Sequence, residues 1–175
     1  PKEFKEFGSF FNSKKSLKKT SNLPYGFKER KCAFKPGGIL AKKLALTRYS
    51  VLQVGSWIFV HGGISPELAD SFSLDEINNS IKYWLLGDKS EHTKKMVNKL
   101  YHTNDDTFSP FWCRIYSDPE DWEMNDGRNS FHKAIKKMNI KNNRNSNNEI
   151  KGMIMGHTPQ YTFGKGINSE CNKKL

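Results

Sequence analysis

Two histidines stand where apolar segments give way to a glycine-flanked turn. His61 follows an apolar run and precedes two glycines in GSWIFVHGGISPE, and His157 follows Gly156 in KGMIMGHTPQ. In layered α/β folds, ligands bind beyond the carboxyl ends of the strands, and neutral imidazoles are good ligands for divalent metals. The pair is therefore a candidate metal site. We expect the glycines to leave room for backbone to approach an ion or its anionic ligand.

The alternative to a metal site is that each histidine has a purely structural role. A single histidine before two glycines also fits a hydrogen-bonded turn, and only the recurrence of the ending favours a shared ligand. The other histidines lie on or beside predicted helices among lysine and asparagine, and we interpret them as solvated surface: His92, His102 and His132. Cys113 directly precedes Arg114, which is the wrong spacing for a cysteine phosphatase loop, and is interpreted as core.

Short strands must deliver the two histidines to one place. SVLQVGSWIFVHGG predicts two strands joined by a tight turn that begins at Gly55, and KGMIM predicts another strand. The clearest helix begins at the N-cap Ser73, with Glu76 completing a capping box, and ends at Gly87. Helical spacing also recurs in ILAKKLALTR, EHTKKMVNKLYH and RNSFHKAIKKMNI. This order predicts a mixed α/β domain.

Other segments carry weaker signals. In ILAKKLALTR, the side predicted to be buried comprises four residues: Ile39, Leu40, Leu44 and Ala45. Phenylalanines three to four residues apart in PKEFKEFGSFF predict an amphipathic helix near the start. The aromatic, turn-rich stretch 103–127 predicts a long structured loop, and such loops are often functional. The asparagine-rich tract 142–148 is interpreted as a connector.

The composition indicates one domain, whose basic charge fits either an anionic partner or simply a lysine- and asparagine-rich composition. A length of 175 residues is enough for a single core, and 13% aromatic residues supply packing material. The net charge of +11 favours phosphate, a phosphoprotein or nucleic acid, although lysine and asparagine recur throughout the chain. The three cysteines lack metal-type spacing, which is typical of a reducing, cytoplasmic location. No apolar run is long enough for a membrane span, so no membrane partner is expected.

Four stretches in order resemble one enzyme group. PGGILAKKLA, VLQVGSWIFVHGGI, SPFWCRIYS and MGHTPQ are similar to motifs of the phosphoprotein phosphatase group of calcineurin-like metallophosphoesterases, most of all the Shewanella-like protein phosphatases. The resemblance implies part of a four-layer α/β/β/α sandwich, incomplete at both ends. It divides the chain into a basic aromatic segment (1–35), the C-terminal half of the metallophosphoesterase domain (36–163) and a truncated tail (164–175).

The resemblance also implies site residues and an activity. By it, His61 and His157 coordinate one metal of a two-metal centre that holds Mn, Fe or Zn. Arg114, in SPFWCRIYS, matches an arginine that binds the substrate phosphate, and Arg128, in NDGRNSF, is a second candidate for that role. The implied reaction is hydrolysis of a phosphorylated protein (Ser/Thr or Tyr) or another phosphomonoester by a hydroxide that two metals activate. The Asp118-Pro119 pair matches a loop at the edge of the site.

Three motifs of this group are absent from the chain: GDxHG, GDxxDRG and GNHE. In the group they supply the remaining metal ligands and the catalytic acid. The chain is therefore expected to be a fragment of a phosphatase that is inactive alone, and no catalytic residue is assigned within it. The alternatives are a non-catalytic phosphatase-like scaffold, a dinucleoside-polyphosphate hydrolase, and a basic nucleic-acid-binding module that uses KKSLKK. Nucleic acid is not the expected partner, because no such binding motif is present.

Overall fold

The computed structural model describes residues 24–103, 105–117 and 126–159, together with 169, 171 and 174. The helix predicted around Phe4 and Phe7, the Asp118-Pro119 loop and most of the predicted tail lie outside the described residues.

Helices and short strands alternate along the described ranges. In chain order they are α1 (Phe27–Phe34), α2 (Ile39–Thr47), β1 (Val51–Val54), β2 (Trp57–Val60), α3 (Pro66–Ser71), α4 (Leu74–Leu86), α5 (Glu91–Leu100), a 3₁₀ turn (Asp106–Phe108), α6 (Gly127–Lys141) and β3 (Gly152–Ile154). The predicted mixed α/β character is confirmed. In these ranges every helix is too short or too polar to cross a membrane.

The strands form one sheet in the order β1-β2-β3. β1 and β2 make the predicted antiparallel hairpin, whose turn residue Gly55 has a left-handed φ of 57°. β2 and β3 are parallel, with Trp57 opposite Gly152 and Phe59 opposite Ile154. Because parallel neighbours end at the same edge of a sheet, the residues that follow β2 and β3 emerge side by side.

Local signals decided where α4 begins and ends. The Ser73 hydroxyl accepts a hydrogen bond from the Glu76 N–H, and the Glu76 carboxylate accepts from the Ser73 N–H, so the predicted capping box is present. The Ser73 N–H and the Ser73 hydroxyl both donate to this carboxylate and lower the pKa of Glu76. Gly87 ends the helix in a left-handed conformation, with φ of 97°, which glycine adopts at little cost.

One face of the sheet contributes to a core shared with the helices. α3 packs against α6, and α4 packs against both α2 and α5. The largest fully buried residues of this core come from strands, helices and loops alike: Phe131, Ile58, Ile64, Leu68, Ile77, Leu100, Met138, Ile150 and Met153. Both α4, through Ile77, and α6, through Phe131 and Met138, therefore bury one apolar side in this core.

The buried side of α2 differs from the predicted one. Ile39 and Leu44 are exposed and Leu40 is half-buried, whereas Ala41 and Ala45 are buried. The prediction is wrong for Ile39 and Leu44 and right for Ala45. α2 packs against α4, and two alanines four residues apart make a flat stripe that lets two helices approach closely. The larger side chains are then left on the outer side.

The opposite face of the sheet is apolar and exposed. Leu52, Phe59 and Ile154 lie in one row across the three strands and are 42, 41 and 45% exposed. In the next row, the ring of Trp57 covers Gly152, since a Cβ at Gly152 would lie 2.5 Å from Trp57 Cζ3. An exposed apolar patch of this kind is more often an interaction surface than a surface that stays in contact with solvent.

The outer edge of β3 meets residues near the end of the chain. The Met153 N–H donates to the Lys174 carbonyl at 2.8 Å, and Cys171 is buried in the core. Cys171 and Lys174 therefore contact the domain, although the sequence suggested only a tail here.

The outer edge of β1 is closed by one side chain. The Asn78 Oδ1 accepts from the N–H groups of Ser50 and Val51, each at 2.9 Å, and its Nδ2 donates to the Val51 carbonyl at 2.8 Å. Backbone groups of an edge strand otherwise need water or another strand. Asn78 therefore anchors α4 to the sheet and covers the beginning of this edge.

We expect Asn78→Ala to lower the free energy of unfolding by about 1–3 kcal/mol, because three backbone groups lose their partner. Asn79→Ala is the matched control, since Asn79 is exposed on the same helix, and it should change stability by less than about 0.5 kcal/mol. Chemical denaturation of both variants measures the difference. Equal stabilities would show that the amide does not support the edge.

Candidate metal centre at the ends of β2 and β3

The parallel pairing of β2 and β3 brings the two predicted histidines into contact. The Gly156 N–H donates to the His61 carbonyl at 2.9 Å, which continues the strand pairing beyond β3. His157 Nδ1 lies 3.0 Å from His61 Nε2, although 96 positions separate the residues. The ring centroids are 4.9 Å apart and the rings are inclined by 73°. The structure thus places at one sheet edge the two residues that the repeated motif singled out.

The short distance between the two nitrogens requires either a proton or a cation between them. Two imidazole lone pairs repel when they face each other, so either one nitrogen carries a proton or both bind one cation. Two nitrogens bound to one ion at about 2.0–2.1 Å, in cis positions, are about 2.9–3.4 Å apart. The observed separation of 3.0 Å fits both situations. The donor chemistry of the pair therefore suits a divalent metal.

His157 is held in an unusual environment. Its backbone has a left-handed φ of 64°, which is uncommon for a residue other than glycine. Its Nε2 is buried, with no hydrogen-bond partner among the described residues. Burial lowers the pKa of His157, and the positive charge of Arg114 and the His61 ring lower it further, while Asp106 opposes them. The neutral form, which binds metals, is therefore favoured.

The space that Gly62 leaves is filled by the chain's own backbone. A Cβ at Gly62 would lie 2.9 Å from the Cys113 nitrogen and from the Phe111 carbonyl carbon and oxygen. The Gly62 N–H also donates to the Pro110 carbonyl at 2.7 Å. As expected, this glycine leaves room for backbone, and the backbone that approaches belongs to a loop of the chain; contact of that backbone with an ion or its ligand stays a prediction. Gly63 has φ of 153°, a conformation that favours glycine.

Hydrogen bonds join the approaching loop, residues 109–117, to the segments that follow β2 and β3. The Tyr116 hydroxyl donates to the Ile64 carbonyl at 2.9 Å, and the Ser117 hydroxyl donates to Thr158 Oγ1 at 2.8 Å. Burial raises the pKa of Tyr116 well above its usual range, so this donor keeps its proton. The loop is thus fixed next to the histidine pair. The sequence predicted a structured loop here but not these hydrogen bonds.

Trp112, at the middle of this loop, is a site residue that the sequence reasoning missed. Its ring centroid lies 5.6 Å from that of His157, with the rings inclined by 76°. The indole N–H donates to the Tyr101 carbonyl at 3.2 Å, and the residue is 40% exposed. The signal was present in SPFWCRIYS, a motif in which we singled out only the arginine.

The two predicted phosphate-binding arginines lie in different places. Arg114 is exposed on the 109–117 loop, close enough for its charge to act on His157. Arg128 is exposed in the first turn of α6. Arg128 is not among the described residues whose charge acts on His157. The phosphate-binding roles of both arginines stay predictions.

The described residues supply only part of a metal site. None of them form a group of three or more His, Cys, Asp or Glu side chains that could hold an ion. The pair therefore offers two ligands, whereas zinc sites in proteins have three or four. Cys113 is buried in the core, as predicted. The remaining histidines are exposed, as predicted: His92, His102 and His132.

Two relatives among known proteins match most of the chain. It is 34% identical over 155 residues to an uncharacterised protein of Acanthamoeba polyphaga mimivirus, a match that covers 83% of the chain and 58% of that protein. It is 28% identical over 149 residues to Shewanella-like protein phosphatase 2 of Arabidopsis thaliana, covering 85% of the chain and 33% of that protein. The chain thus spans between a third and three fifths of the length of these relatives.

Family models and solved structures add no relative. No family model matches the chain, and no solved structure matches it. What the comparisons establish is a distant similarity to a protein phosphatase.

Proposed function

We propose that the chain contributes His61 and His157 to the metal centre of a metal-dependent phosphoprotein phosphatase. The contact that carries the proposal is the 3.0 Å approach of His157 Nδ1 to His61 Nε2. These residues come from distant parts of the chain and meet beyond the carboxyl ends of neighbouring strands, where α/β folds bind ligands. The similarity to the Arabidopsis phosphatase supports the reaction class.

The chain's own residues have distinct roles in this proposal. His61 through Nε2 and His157 through Nδ1 hold one of two ions, of Mn, Fe or Zn. When bound, such ions neutralise phosphoryl charge and provide an activated hydroxide. Arg114, on the loop beside the pair, binds the phosphate of the substrate, since a guanidinium can donate two parallel hydrogen bonds to it. Arg128 is the second candidate for this contact.

The exposed sheet face supports the proposed four-layer arrangement. Helices cover one side of the sheet, while the row of Leu52, Phe59 and Ile154 on the other side is apolar and exposed. A second sheet packed on that row would bury it and complete an α/β/β/α sandwich. In this proposal residues 36–163 are the C-terminal half of the domain, and the remaining metal ligands come from elsewhere in the complete protein.

A turnover assay tests the proposed function. We expect the purified 175-residue chain with Mn²⁺ not to hydrolyse a chromogenic phosphomonoester, because two imidazoles leave the metal site incomplete. A fusion that adds the part of the mimiviral relative outside the match should hydrolyse it. His61→Ala in that fusion should reduce turnover to background, and His102→Ala, which removes an exposed histidine, should not.

Three results separate the alternatives. Turnover by the fusion that survives His61→Ala would contradict the proposed role of the pair. A folded fusion that binds metal without turnover would favour a non-catalytic scaffold. Turnover by the unfused chain would overturn the expectation that it is inactive alone. Phosphoserine and phosphotyrosine peptides, compared in the active fusion, would decide between Ser/Thr and Tyr substrates.

A further inference from the structure

The two ring nitrogens of His157 have different surroundings. Nδ1 faces His61 Nε2 at 3.0 Å, whereas Nε2 is buried without a hydrogen-bond partner among the described residues. Among the described residues, the aromatic rings in contact with His157 are those of His61 and Trp112. His61 lies on the Nδ1 side, so of these two rings the indole of Trp112 is the one that can cover Nε2.

We infer that Trp112 is a positioning residue that fixes the orientation and tautomer of His157. In this arrangement Nε2 carries the proton and Nδ1 directs its lone pair toward His61, a role that rests on the proposed metal site. Metal-binding histidines usually donate their second N–H to a carboxylate or carbonyl. Here Nε2 has no such partner among the described residues, and in the inferred arrangement the neighbouring ring of Trp112 takes that place.

Hydrogen-bond chemistry explains the choice of tautomer. The indole has one donor, Nε1–H, and this donates to the Tyr101 carbonyl. Trp112 therefore has no donor left for a lone pair on His157 Nε2, and a buried acceptor without a donor costs about 1–3 kcal/mol. An N–H directed at an aromatic ring is weakly favourable instead. The proton is thus better placed on Nε2 than on Nδ1.

The indole is itself held rigidly. Tyr101 is the C-cap residue directly after α5, and carbonyls at a helix end have no partner within the helix. The Trp112 N–H satisfies this carbonyl, and the Tyr101 ring lies 6.1 Å from the indole between centroids. A second ring on the loop, Phe111, lies 5.8 Å from Tyr101. The end of α5 therefore sets the position of Trp112, and through it that of His157.

Nitrogen-15 NMR of the 175-residue chain tests this role without any turnover. At pH 8, long-range ¹H–¹⁵N spectra should show the Nε2–H tautomer of His157 in the parent chain and in Trp112→Phe, which keeps an aromatic ring. Trp112→Leu should show mixed tautomers and a Zn²⁺ affinity about tenfold lower. Trp84→Leu is the matched control: Trp84 belongs to the same aromatic group through Tyr101, and its removal should change neither readout.

The outcomes distinguish this role from the metal site itself. An Nδ1–H tautomer of His157 in the parent chain would overturn the inference without any variant. A folded Trp112→Leu chain with unchanged tautomer and Zn²⁺ affinity would also overturn it, provided that His61→Ala weakens zinc binding. If His61→Ala has no effect on zinc, the proposed metal site fails as well. If Trp112→Leu does not fold, loss of the Nε2–H tautomer in Trp112→Phe would be the contradicting result.

Discussion

Replacing His61 or His157 by alanine should lower the Zn²⁺ affinity of the chain by at least about tenfold, because loss of an outer partner of a ligand alone costs that much. With both histidines, two nitrogens 3.0 Å apart can bind one ion together. With one histidine, a single imidazole remains, and no third His, Cys, Asp or Glu ligand among the described residues replaces it. Competition with a chromogenic chelator measures the affinities.

His102→Ala is the matched control for this experiment. His102 is exposed and contacts Trp84 and Tyr101 rather than the histidine pair, so zinc affinity should stay unchanged. Binding should also weaken as the pH is lowered, because protonation of the imidazoles removes the lone pairs that bind the metal. Equal losses for all three alanine variants would indicate scattered surface binding and contradict the shared site.

Gly62→Ala should destabilise the fold by about 1–3 kcal/mol, the range for overpacking. The new Cβ would lie 2.9 Å from three backbone atoms of the 109–117 loop, and a hydrogen-bonded backbone cannot move aside as a flexible side chain can. If the loop shifts instead, Trp112 and Arg114 leave the histidine pair. We therefore expect lower stability in chemical denaturation together with weaker zinc binding.

Gly156→Ala provides the comparison for Gly62→Ala. Gly156 directly precedes His157, but a Cβ there would meet its nearest atom, the His61 carbonyl oxygen, at 3.8 Å, which is ordinary contact. This variant should change stability by less than about 0.5 kcal/mol. If both alanines prove equally harmless, the loop does not depend on the close approach at Gly62.

The parts of the fold that the sequence predicted correctly are those with local signals. The capping box of Ser73 and Glu76 and the left-handed turn at Gly55 act within a few residues, so their patterns are visible in the chain. The buried side of α2 depends on the helix against which it packs, and this partner is not visible in its own spacing. α3 has a signal that we did not use: Ser65 caps it and Pro66 occupies its first turn.

The histidine pair could be predicted and its supports could not. The two strands that end in a glycine-flanked histidine, β2 and β3, are parallel neighbours in one sheet. Their pairing brings His61 and His157 to the same edge. Whether the pair binds a metal remains a prediction. Trp112 reaches His157 only because the 109–117 loop folds onto Gly62, and no pattern within the loop specifies that approach. Long-range packing of this kind is what single-sequence reasoning leaves undetermined.

Anomalous diffraction from a crystal of the chain soaked in saturating Zn²⁺ tests the central claim most directly. We expect one strong peak about 2.0–2.1 Å from both His61 Nε2 and His157 Nδ1. A zinc ion bound elsewhere on the chain, with the two imidazoles still in direct contact, would contradict a shared metal site.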